Sequence, residues 1–255
     1  MTGVARKPDE RTTDEDYCLY WHPGTCARVT FTALEEIGEP FRTVVPHLFG
    51  EAKTEYLRLN PKGKVPTLVA RGQVITETPA ILTYLHRRHP DARLLPDDRE
   101  FETLEMMSWF AAGVHRNITL LRFPQNFCAV PEAYGPIRDT ARRELRLSFS
   151  VLEARLEDRD WLFEQWSIVD AYMLWLWFRS TGSGLDGHEF LRCRDHATRC
   201  EQRITVAKVL ELEESLYPRL VDEGLVPKGL PDYQVGRSPD FASAAVKPNS
   251  TSSVL

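Results

Sequence analysis

In this chain of 255 residues, the residue best placed to do chemistry is a cysteine two positions beyond a Pro-Gly pair. Within WHPGTCARVTFTALEEIG, apolar side chains at Val29, Ala33, Leu34 and Ile37 mark one face of a helix that Gly38 ends, so Cys26 falls in its first turn. Unpaired N–H groups and the positive end of the helix dipole favour a thiolate there. The sequence therefore predicts an exposed Cys26 with a lowered pKa. The usual fate of a free cysteine, a small buried hydrophobe, suits Cys18 and Cys128 better. A second group, Cys193, His196 and Cys200 with His188 upstream, contains ligand types that zinc accepts. It lacks a paired C-x-x-C knuckle and is crowded by Arg192, Arg194 and Arg199, so a polar helix without metal is the better reading.

The elements around Cys26 can be read from periodicity. YCLYW, at 17–21, is short, aromatic and apolar and is followed by Pro23 and Gly24, as a buried strand would be. A helix over 25–37 and a second strand over 41–45 complete a βαβ unit, since parallel strands need a crossover of about a dozen residues. A shorter helix over 51–59 leads into NPKGKVP. TLVA and QVIT then flank Arg71 and Gly72 as a hairpin, and a helix over 77–88 closes the unit. Beyond HPDARLLPDD the β signals fade, and helical periodicity runs over 99–128, 132–157, 167–180 and 204–217. The predicted fold class is α/β plus all-α. A charged leader (1–16) precedes an α/β domain (17–88), a linker (89–98), an all-helical domain (99–217) and an irregular C-terminal tail (218–255).

A formal charge of −5 and a pI near 5.9 leave no excess of cations for a phosphate backbone or an anionic bilayer, so neither nucleic acid nor membrane is an expected partner. The leader has no apolar core of the signal-peptide kind, and no segment approaches the roughly 20 apolar residues of a span. Five scattered cysteines do not read as a disulfide framework, so a cytoplasmic protein with free thiols is expected.

PGTCARVTFTALEEIGEPF resembles the first helix of beta-class glutathione transferases, where Pro-Gly-x-Cys leads the same kind of helix. NPKGKVPTL, at 60–68, is similar to the stretch before that family's third strand, where a cis proline follows valine. The resemblance implies a cis Pro66 and a Val65 backbone that pairs with the cysteinyl part of glutathione. TETPAILTYL, at 76–85, resembles the family's Glu/Gln-Ser turn, with Thr78 in place of serine; Glu77 would hold the γ-glutamyl ammonium and Thr78 the neighbouring carboxylate. MSWFAAGVHRNITLLRF resembles the stretch whose His-Lys pair faces the cysteine, and His115 and Arg116 occupy those positions. WLFEQWSIVDAYMLWLW resembles the family's capping motif, with Ser167 as cap and Asp170 at N3.

Together these matches cover about 17–217. They imply an N-terminal thioredoxin-like domain (βαβ-α-ββα) followed by a helical bundle, glutathione as co-substrate, a small hydrophobic electrophile and a twofold homodimer. Cys26 and His115 would be catalytic, and Val65, Pro66, Glu77, Thr78, Lys53, Lys64 and Arg116 would contact glutathione. The chain departs from the family in having Ala27 and Arg28, not serine, after Cys26. That disfavours a serine-based mechanism and leaves Tyr20 as another candidate activator. Conjugation, glutathione-dependent reductase, dehalogenase or ether-lyase chemistry, and non-catalytic glutathione binding are all compatible with the resemblance.

Overall fold

The aromatic segment that precedes Cys26 forms the strand β1 (Tyr17–Tyr20), which lies inside a mixed sheet. It pairs in parallel with β2 (Phe41–Val44) and antiparallel with β3 (Thr67–Ala70); β4 (Gln73–Thr76) extends the order to β2-β1-β3-β4. The computed structural model describes residues 17–226 and 235–238, so the expected leader and most of the expected tail lie outside the described residues. Between the parallel strands runs α1 (Ala27–Ile37), buried at every position from Ala27 to Leu34 because it has sheet on one side and helices on the other. Two further helices follow, the short α2 (Lys53–Leu59) and α3 (Thr78–Arg88), the latter packed beside α1.

The second half is helical, as its periodicity predicts. The stretch 99–128 ends sooner than expected. It forms α4 (Glu100–Trp109), a π-helical turn at Phe110–Val114 and α5 (His115–Arg122), and then Pro124 blocks continuation. Next come α6 (Tyr134–Arg155), α7 (Ile168–Thr181), α8 (Leu191–Glu201) and α9 (Ile204–Asp222). Every residue of α7 is buried, which places it at the centre, and one apolar core runs from the sheet side chains Leu19 and Leu68 through α7 to Val209 and Leu210 of α9.

One expectation needs correction. The chain is still helical at 218–222, where an irregular tail was expected. Pro218 removes one backbone donor, yet Leu220, Leu225 and Val226 form a small apolar cluster with Leu216 and Tyr217 that holds the last turn. The group considered for zinc lies on α8, with Cys193, His196 and Cys200 on its buried face. Among the described residues no three such side chains are arranged to hold a metal. His196 instead donates Nε2–H to Asp170 Oδ1 at 2.9 Å.

Asp170 ties this half together. It completes the capping box of α7, accepting from the Ser167 backbone N–H at 2.9 Å and hydroxyl at 3.1 Å, and it also accepts from the Leu162 N–H at 2.9 Å. Asp170→Ala strands three buried donor groups besides His196, and each costs about 1–3 kcal/mol when unpaired. Urea unfolding is expected to show a loss of at least about 3 kcal/mol, and a loss below about 1 kcal/mol would mean water replaces the carboxylate.

Candidate functional site

A cleft of about 430 Å³ opens between the sheet side and the π turn and α5, and it gathers most of the residues singled out in the sequence. From the first half come Cys26, Lys64, Val65, Pro66, Glu77 and Thr78. From the second come His115 and Arg116. Lys53 is not on the cleft wall. Its stem covers Gly63, where a Cβ would sit 2.6 Å from Lys53 Cε and 2.8 Å from Leu57 Cδ2, so the tight turn of NPKGKVP needs glycine there, at φ +60°. Tyr20 is also absent from the wall and stacks on Tyr56.

The turn carrying Val65 is held rigidly from below. Asn60 Nδ2 donates to Lys64 O at 2.8 Å and to Thr67 Oγ1 at 2.9 Å, and the Tyr56 hydroxyl donates to Lys64 O at 2.7 Å. The Val65–Pro66 bond is cis. At the start of α3, Glu77 adopts φ 71°, ψ 119°, a conformation that costs a non-glycine residue about 1–3 kcal/mol and that gathers at functional sites. Its carboxylate, 63% exposed, pairs with Lys62 Nζ at 2.7 Å; Lys62 also reaches Thr76 Oγ1 at 2.9 Å. Lys62, which the sequence reading passed over in favour of Lys53, is therefore the lysine beside Glu77. Its place in the same NPKGKVP turn was the available signal.

Cys26 differs from the expectation of an exposed, acidic thiol. It is buried (9% exposed) and Sγ donates to Val65 O at 3.5 Å. Burial pushes its pKa up to about 11, and the Thr78 hydroxyl beside it offsets only part of that rise. The helix N-terminus is present, but desolvation outweighs it. His115 is shifted the other way. Burial, with Lys64 and Arg179 adding positive field, lowers its pKa to about 4, so the imidazole is uncharged at neutral pH; its ring packs edge-on against Trp175 with centroids 4.6 Å apart. His115 is thus no cationic partner for a thiolate, though it remains a hydrogen-bonding group.

The sequence reading also missed Tyr172. This α7 tyrosine is 1% exposed, yet it lines the cleft near Cys26 and Glu77, and burial holds its phenol well above the ordinary value. Ala111 and Ala112 of the π turn leave open floor beside it, and Phe127, 44% exposed under the Arg116 guanidinium, forms the outer wall. The arrangement can hold an extended peptide along the Val65 turn, with a neutral thiol at one end and an apolar recess beyond it.

Comparison with known proteins agrees with this geometry. Residues 24–88 match the family model described as Glutathione S-transferase, N-terminal domain. Glutathione S-transferase GstA of Escherichia coli O157:H7 is 31% identical over 183 residues, which span 68% of this chain and 88% of that protein. A bacterial beta class glutathione S-transferase from Sphingomonas chungbukensis superposes with a TM-score of 0.66 at 27% identity, over 77% of this chain and 98% of its own. A sphingomonad glutathione S-transferase complexed with glutathione gives 0.67 at 26% identity, over the same shares. The chain belongs to the glutathione S-transferase family.

Proposed function

We propose that Cys26 meets the sulfur of glutathione as a neutral hydrogen-bond donor, and that the enzyme conjugates glutathione to a small hydrophobic electrophile. The observation that carries this reading is the Cys26 thiol at the start of α1, buried on the cleft wall with Sγ 3.5 Å from Val65 O. With a pKa raised to about 11, Cys26 is thiolate in only about one molecule in ten thousand at pH 7. Such a group donates to a thiolate and does not attack. The dipole of α1 adds to the stabilisation of the glutathione sulfur. Conjugation needs the thiolate on glutathione, an electrophilic carbon that accepts its electron pair and a leaving group or π bond that takes the displaced pair. Mixed-disulfide chemistry at Cys26 would need the thiolate on the protein, so the raised pKa favours conjugation over the reductase and lyase readings.

Glutathione would lie along Val65 and Pro66, with its ammonium at Glu77 and its α-carboxylate at Thr78 and the start of α3. Lys62, Lys64 and Arg116 supply cations for the remaining carboxylate. His115 would hydrogen-bond the ligand, and Tyr172, Ala111 and Phe127 would border the electrophile. A cytoplasmic homodimer completes the proposal. No described helix is long and apolar enough to cross a membrane. Light scattering is expected to give twice the 29.3 kDa chain mass.

Replacement of Cys26 separates the two chemistries. Cys26→Ser keeps a donor and is expected to keep most conjugating activity. Cys26→Ala is expected to lose roughly tenfold in kcat, the worth of one hydrogen bond to a charged sulfur. If Cys26→Ser abolishes turnover and the wild type reduces glutathione disulfides efficiently, the nucleophile reading is right and the donor reading is wrong.

Glu77→Ala is expected to weaken glutathione binding by about 1.5–3 kcal/mol in titration calorimetry, since the ligand ammonium would lose its only carboxylate partner among the cleft residues. An unchanged Kd would remove Glu77 from the site.

The lowered pKa of His115 fixes a pH dependence. The unfolded chain takes up the proton near pH 6.5 and the folded chain near 4, so the stability His115 contributes is complete above 6.5 and is lost as pH falls towards 4. Urea midpoints of wild type and His115→Gln should converge across that window. Parallel curves would contradict the shift.

A further inference from the structure

Residues 235–238 lie beyond α9 and return to the base of the Cys26 loop. Glu213 of α9 is fully buried, and each of its carboxylate oxygens accepts two hydrogen bonds. Oε1 takes the Gly24 N–H at 2.9 Å and Arg28 Nε at 3.0 Å, while Oε2 takes the Arg28 guanidinium and the Gly236 N–H at 3.1 Å. Arg28, itself buried, also donates to Gly236 O at 2.8 Å, and its guanidinium lies 4.2 Å from the centre of the Phe178 ring. The other side of Gly24 is fixed as well, since Trp175 Nε1 donates to Gly24 O at 3.2 Å. Further back in the loop, His22 donates Nε2–H to Leu225 O at 2.9 Å, and His22 O in turn accepts from the Thr25 hydroxyl at 2.6 Å. The chain that follows α9 thus grips the loop four residues before Cys26 and closes the ion pair two residues after it.

The hydrogen bonds of this clamp do not reach the turn that would carry the peptide of glutathione, which meets the Cys26 loop through Cys26 Sγ and Val65 O at 3.5 Å. Lys64 O, next to Val65, is held by Asn60 and Tyr56, and Glu77 pairs with Lys62.

We infer that Gly236 is a positioning residue: by completing the buried Glu213–Arg28 clamp it sets where the Gly24 peptide, and with it Cys26, stands in the cleft. Gly236 has φ +76°, which most L side chains avoid, and a Cβ there would also force the exposed Glu214 side chain, with Cγ at 2.6 Å, to move, so glycine presents both its N–H and its carbonyl to the clamp without strain. The inference concerns the placement of Cys26 and is read first from its labelling, so it stands or falls independently of whether Cys26 proves catalytic; Cys26→Ala, run in the same activity assay, judges that separate point.

Gly236→Val in the full chain tests it. The loosened loop is expected to raise the iodoacetamide labelling rate of Cys26 roughly fivefold or more while Cys193 and Cys200 stay as slow as before, because only local opening selects among buried thiols. kcat is expected to fall roughly tenfold with the KM for glutathione within about twofold, since misplacing the thiol spoils the reacting geometry but leaves the peptide contacts intact. Asparagine tolerates positive φ, so Gly236→Asn combined with Glu214→Ala, which clears the space, should restore both readings. Where valine prevents folding, Gly236→Ala is scored by the same criteria. Cys26 labelling and kcat unchanged in the folded variant, a rise shared by all the buried cysteines, or a double variant that folds without recovering would each overturn the assignment.

Discussion

The Arg28–Glu213 pair is the constraint on which the seam between the two halves depends. Two full charges sit in the interior, at 3% and 0% exposure, where desolvation costs several kcal/mol per ion unless partners satisfy every direction. Backbone groups from widely separated parts of the chain supply those partners: Gly24 before α1 and Gly236 after α9. An apolar contact would tolerate sliding of α1 against α9. A carboxylate with four donors in fixed directions does not, so the electrostatic cost of burial is turned into registry between the sheet-side loop and the helical half.

That registry accounts for the chemistry at Cys26. A helix N-terminus favours a thiolate by the order of 1 kcal/mol, as any exposed helix end favours an anion. Seating the same thiol under the helical half removes its water, and each unit of upward pKa shift is worth about 1.4 kcal/mol against the charged form. In this site the second effect wins, with the thiol near 11. On the proposed donor reading, the glutathione sulfur is then the group left to carry the negative charge.

Local pattern made much of the fold legible, and family resemblance much of the site. Strand β1, helix α1, the hairpin at Arg71 and Gly72 and the helical second half all follow from periodicity and turn residues, and the motifs at 60–68 and 76–85 placed Val65, Pro66, Glu77 and Thr78 on the wall of one cleft. What sequence could not give is what depends on the far side of a contact. The pKa of Cys26 is set by α7 and the Val65 turn covering it. Tyr172 was indistinguishable from its buried neighbours on α7 because that helix is apolar all round. Lys62 and Lys53 differ in role only through the path of the turn between α2 and β3. The clamp at Glu213 joins residues 189 positions apart and leaves no local signature at all.

The charges that remain in the cleft indicate why it suits its ligand. Cys26 and His115 are both neutral at pH 7, so the wall carries the cations Lys62, Lys64 and Arg116 against the single carboxylate of Glu77, with Arg179 adding to the field from behind. The lowered pKa of His115 is partly a consequence of that field, since a further positive charge would be placed among like charges. Glutathione brings two carboxylates and one ammonium, and as the thiolate it brings a third negative charge. The same excess of positive potential that adds to burial in keeping His115 neutral therefore favours the ionised ligand over its protonated form. The neutral Cys26 and the cationic rim are two parts of one electrostatic arrangement, in which the protein withholds negative charge from the cleft floor so that the substrate can supply it.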